Sequence, residues 1–136
     1  MKHLTLFVIA ITAIFITGCS DTPSERQIQT LLQQQYDSRH AGLVSIENTK
    51  KLNGWQEKEQ FYTAEVSYQI TFNKSFKDYM EEQTALPGNP LEKMSKGMSV
   101  GMLKLQFGSF NADDVYQVKE QILQWRDTEN GWIIAE

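Results

Sequence analysis

The spacing of apolar residues changes several times along the chain, and each change marks an element. Tyr62, Ala64, Val66, Tyr68, Ile70 and Phe72 alternate strictly with Thr63, Glu65, Ser67, Gln69 and Thr71. A period of two sends successive side chains to opposite faces. The segment therefore reads as a strand of an antiparallel sheet with one buried and one wet face. Leu43 to Trp55 reads as its partner, with Val44 and Ile46 pointing inward. Two turns compete to join them. Asn53-Gly54 is a strong hairpin pair, but Glu57-Lys58-Glu59-Gln60 is the more polar stretch, which favours a turn at 57–60 with Gly54 marking a bulge.

On either side of this hairpin the period becomes helical. Ile28, Leu31, Leu32 and Tyr36 fall on one helical face, and Gly42 is a natural stop. Thr22 can cap this helix, with Pro23 in its first turn and Glu25 closing a capping box, so it is expected over 23–39. Ser75 and Asp78 can cap a short helix through Phe76, Tyr79 and Met80. After the break Leu86-Pro87-Gly88, Asn89 caps another, with Pro90 and Glu92 in the matching positions. Its apolar stripe is Leu91, Met94, Met98, Met102 and Leu105, a spacing expected of a face packed on the sheet or lining a groove. Gly97 and Gly101 would let another backbone approach it closely.

Val115 to Arg126 returns to strand-forming residues, with an apolar phase shift between Ile122 and Leu123 that suggests a bulge or strong curvature. A hairpin turn near Asn130-Gly131 leads to a closing strand, Trp132 to Ala135. The predicted order is α-β-β-α-α-β-β. That is an α+β domain: an N-terminal helix and a four-stranded antiparallel curved sheet in two hairpins, with a two-helix insertion between them. The closing phrase, a curved strand followed by Asn130-Gly131-Trp132 and a short apolar strand, resembles the end of cystatin-like and NTF2-like domains. The helical insertion at 75–106 departs from the plain cystatin order of one helix and four strands.

The N-terminus follows none of these periods. Lys2 precedes an uncharged, apolar run of 14 residues, Leu4 to Thr17. This is the layout of a secretory signal, and it falls short of the roughly 20 apolar residues that a bilayer-spanning helix needs. It ends in Ile16-Thr17-Gly18-Cys19, the only cysteine of the chain. These four residues resemble the lipobox of bacterial lipoproteins: a branched apolar residue, two small ones, then Cys. The resemblance implies cleavage after Gly18, a diacylglycerol on the Cys19 sulfur, and an acyl group such as palmitate on the new amino terminus. The competing reading, a free buried thiol, would leave an unpaired cysteine in an oxidising compartment. In that family Asp directly after the lipidated Cys favours the inner membrane. Ser20 stands there instead, which implies the outer membrane, facing the periplasm, with the outer face of the inner membrane as the alternative. Residues 1–18 are then a removed signal, 19–22 a lipidated end and short tether, and 23–136 a single domain.

Composition sharpens this only in part. Beyond residue 18 the chain keeps 118 residues and a net charge of −5, which argues against nucleic acid as a partner. With Cys19 lipidated, no disulfide is possible, and packing must hold the domain. Candidate chemistry is thin. His40, at the expected end of the first helix, reads as a terminus residue favoured by the helix dipole rather than a base. The adjacent pairs Asp113-Asp114 and Glu81-Glu82 read as solvated charges. The residues call for no catalytic group, cofactor or metal cluster of the usual kind. The expectation is a non-enzymatic binding or accessory module, tethered through Cys19, whose sheet and helical insert form a groove for an envelope protein or a small apolar ligand. The alternative is Cu(I) handling by Met94, Met98 and Met102, since thioethers suit that soft ion.

Overall fold

The structure is a computed structural model that describes residues 22–135. The expected signal, the expected lipobox with Gly18 and Cys19, and most of the expected tether lie outside those residues. The described chain runs α1 (Glu25–Arg39), β1 (Val44–Lys58), β2 (Phe61–Phe72), α2 (Phe76–Ala85), α3 (Pro90–Phe107), β3 (Val115–Thr128) and β4 (Gly131–Ile134). The strands form one antiparallel sheet in the order β1-β2-β3-β4. Two hairpins flank an inserted helix pair, the α+β arrangement that the hydrophobic pattern predicts.

The alternation in β2 sets the core. Its residues 62, 64, 66, 68, 70 and 72 are all buried, and Ala64, Val66 and Ile70 have no exposed surface. Val44 and Ile46 of β1, and Leu123 and Trp125 of β3, extend the same face. Ile28 and Leu32 of α1 pack onto it, with Leu31 and Tyr36 at the margin. Each large apolar side chain fully removed from water contributes about 1.5–3 kcal/mol, so this one face provides most of what holds the domain.

Helix α1 begins two residues later than the sequence suggests. Ser24, not Thr22, is the cap: its hydroxyl accepts from the Gln27 amide, and the Gln27 side chain accepts from the Ser24 amide. Glu25 is thereby free for another task. Its carboxylate accepts from the Lys51 amide on the outer edge of β1 at 3.0 Å. One turn on, Gln29 accepts from the Thr49 amide at 3.4 Å. A further turn on, Gln33 donates to the Val44 carbonyl at 2.9 Å and accepts from the Ile46 amide at 2.8 Å. A polar row at i, i+4, i+8 thus imitates a neighbouring strand and closes an edge that could otherwise pair with another chain.

The β1–β2 turn is the two-residue loop Glu59-Gln60, within the predicted stretch. Gly54 is not a bulge. It pairs regularly with Ala64, and register shifts fall on either side of it. Its lack of a side chain has another cause: a Cβ there would lie 1.9 Å from the Tyr62 hydroxyl oxygen. On β3 the bulge comes earlier than the Ile122–Leu123 phase suggests. Val118 faces Tyr68 and Gln121 faces Val66, so Lys119 and Glu120 together oppose Ser67. The extra residue switches the inward set from even to odd positions, leaving Ile122 exposed and Leu123 buried.

Candidate binding groove

The helix pair between the hairpins is fixed at its base by aromatic side chains. Phe110 stacks on Phe72 at 3.8 Å between ring centroids, and Phe107 and Phe76 meet this pair edge-on. Helix α2 is capped by Ser75, which accepts from the Asp78 amide. Helix α3 begins with the predicted Asn89–Glu92 capping box and Pro90 in its first turn. Only Val100 and Leu103 of α3 are fully buried, with Phe107 packed beside them.

The stripe expected to pack inward does not. Leu91, Met94, Met98, Met102 and Leu105 are all more than half exposed, Leu105 at 83%. On a helical projection they lie opposite Val100, Leu103 and Phe107. The helix has an apolar row on each side, and the shorter row is the one that packs. Nor do Gly97 and Gly101 admit a neighbouring backbone, since a methyl at either would meet nothing within 4 Å.

Those glycines instead line a groove of about 380 Å³ between α2 and α3. Its floor is apolar, built from Phe76, Met80 and Val100. Gln83 and Thr84 form the α2 wall, and Lys93, Lys96 and Lys104 stand along the α3 wall. The Lys104 ammonium lies 5.7 Å from the centre of the Phe76 ring. A smaller, polar cleft of about 190 Å³ separates α3 from the end of α1, bordered by Tyr36, Arg39, His40, Tyr68 and Gln121. Tyr68 donates to Gln121 there, and burial together with the nearby Tyr36 hydroxyl pushes its ionisation well above the ordinary range.

The remaining polar candidates are occupied. His40 is the C-cap of α1, and its Nδ1 lies 2.9 Å from the Tyr79 hydroxyl. Burial, reinforced by Arg39, holds its pKa below the ordinary value, so it is a neutral link between α1 and α2 rather than a cation at the helix dipole. Glu82 pairs with Lys74 at 2.6 Å and Glu81 with Lys77 at 4.0 Å. Asp114 accepts from the Asn111 amide in the turn before β3. Among the described residues no group of three His, Cys, Asp or Glu side chains could hold a metal ion, and no helix is long and apolar enough to cross a membrane. The sequence predicts a groove between the sheet and the inserted helices, whereas this one lies between α2 and α3 themselves. Its trace in the sequence is that Lys93, Lys96, Gly97, Gly101 and Lys104 share one side of a helix. No family model, curated protein or solved structure matches the chain.

Proposed function

We propose that this chain is a lipid-anchored lipoprotein of the periplasm, and that its domain is a non-enzymatic binding module of the cell envelope with the α2–α3 groove as its ligand site. The groove carries the reading. A concave, mostly apolar space with a few polar groups at its rim is the usual form of a small-molecule site. Here the floor is Phe76, Met80 and Val100, and the rim carries Lys93, Lys96 and Lys104. The anchor rests on Ile16-Thr17-Gly18-Cys19 behind the apolar run, and Ser20 favours the outer membrane over the inner. Two or three acyl chains on one residue would make release from a bilayer negligible, where a single chain holds only marginally.

A photoreactive benzoylphenylalanine in place of Met80 tests the site. Irradiation of the full chain in its native envelope should add the mass of a small molecule at that position and none at exposed Gln69. An unmodified mass at both positions would contradict the groove reading. Copper handling remains the second reading because Met94, Met98 and Met102 are exposed and free of packing partners in the core. Helical rise nevertheless separates Met94 from Met102 by about 12 Å along the axis, so a single ion would take two adjacent thioethers rather than all three.

A further inference from the structure

Gly97 and Gly101 weaken α3 relative to alanine, because glycine loses the most backbone freedom in a helix. Neither is required by a turn, and a Cβ at either would touch nothing within 4 Å. What the two glycines preserve is empty space one helical turn apart, along the wall of the α2–α3 groove. The charge around that space has one sign. Three of its lining residues are lysines and none is acidic. The acids of α2 that could have balanced them, Glu81 and Glu82, pair with Lys77 and Lys74 and do not line the groove. Lys93 and Lys96 enter no ion pair among the described residues. Helix α3 as a whole carries +2 in a chain of net −4.

We propose that the groove binds an amphiphile made of a long alkyl chain and an anionic head, carboxylate or phosphate. The chain lies along Gly97 and Gly101 against Phe76, Met80 and Val100. The head meets Lys93 and Lys96, one turn apart on the same wall. Charge complementarity selects the head: an apolar floor alone would take any greasy molecule, whereas the Lys93 and Lys96 ammonium groups, in no ion pair among the described residues, favour an anion over a neutral chain of the same length. The span from Lys93 to Lys104 is about 16 Å at the helical rise, which suits an extended chain rather than a compact ring. A free fatty acid and an anionic lysophospholipid share this chemistry.

The proposal rests on the groove being a ligand site, and the test separates the two claims. The full chain is irradiated with three photoreactive probes carrying the same alkyl chain: a diazirine dodecanoate, the corresponding neutral alcohol, and a lysophosphatidylglycerol. Adducts are then mapped by peptide mass. The expected result is adducts on Phe76, Met80 or Val100, with the carboxylate or the phospholipid labelling several-fold more than the alcohol. Whichever anion labels more identifies the source. Lys93→Gln with Lys96→Gln should abolish that preference and leave alcohol labelling in place. Gly97→Leu with Gly101→Leu should block groove labelling by every probe while the helical circular dichroism is retained. Equal labelling by alcohol and anions would overturn the anionic class and leave the groove standing. No groove adduct from any probe would overturn both. Adducts confined to Leu91, Met98 and Leu105 would show nonspecific contact with the outer stripe and would also overturn the proposal.

Discussion

Replacing Met94, Met98 and Met102 together by glutamine should leave the domain folded and only slightly weaker. The three side chains are 59%, 68% and 65% exposed, so each has surrendered roughly a third or slightly more of its surface. Full burial of a methionine contributes about 1.5–3 kcal/mol, which limits each of these to about 0.5–1 kcal/mol and the three together to about 1.5–3 kcal/mol. Glutamine and methionine have nearly equal helix propensity, so the backbone adds nothing further. Had the stripe packed on the sheet, each glutamine would forfeit a full apolar burial and leave an amide buried without a partner, about 2.5–6 kcal/mol apiece, and three would exceed the stability of an ordinary small domain. Urea unfolding followed by tryptophan fluorescence distinguishes these outcomes, provided the slope stays unchanged between variants. Loss of the folded baseline, or a drop well beyond about 3 kcal/mol, would refute the outward placement of the stripe. The same variant addresses copper: wild type should show no tight Cu(I) binding against a competing chelator, and submicromolar affinity lost in the triple variant would promote the second functional reading.

Gln33→Ala removes two bonds to the β1 edge, each with a net contribution of about 0.5–1.5 kcal/mol. Hydrogen exchange at the Ile46 amide should accelerate accordingly, and an unchanged rate would mean that α1 does not close that edge. Gly54→Ala drives a methyl into the Tyr62 ring and should cost about 1–3 kcal/mol in a denaturant titration; pairing it with Tyr62→Leu should recover part of the loss, and a neutral Gly54→Ala would contradict the close approach. His40 is held below its ordinary pKa of 6.5 when folded, so the unfolded chain binds the extra proton. Stability should therefore be complete above pH 6.5 and decline as pH falls from there towards the lowered folded value. His40→Gln should flatten the thermal midpoint across that window, and a wild-type midpoint that rises on acidification would reverse the sign.

The contrast between β2 and α3 shows what a one-dimensional pattern carries. In β2 the two faces differ in kind, apolar against polar, so period and direction are read together and all six inward positions are placed correctly. Helix α3 has apolar residues on both sides, and periodicity groups residues by face without saying which face turns inward. The longer stripe is conspicuous, but the helix is held from its C-terminal end by Phe107 and the neighbouring Phe110, which turns the shorter row towards the core. The cap of α1 was displaced for a similar reason. Thr22-Pro23-Ser24-Glu25-Arg26-Gln27 offers two overlapping boxes, and the contact of Glu25 with β1, invisible locally, accompanies the second. The bulge of β3 is legible as a phase error and not as a position, because Lys119 and Glu120 carry no apolar mark. The groove belongs to two helices at once, so its shape exists only once α2 and α3 are paired.

The proposed placement of the groove at a membrane rests on Cys19. The mass of the mature N-terminal peptide, taken from cells fed an alkyne-tagged palmitate analogue, tests this most directly. The expected peptide begins at Cys19, carries the tag and a diacylglyceryl group on sulfur, and leaves the cell with the outer-membrane fraction. Cys19→Ala should yield an untagged chain that is uncleaved or soluble. A wild-type chain that begins elsewhere, carries no lipid and fractionates with soluble periplasmic proteins would contradict the anchor.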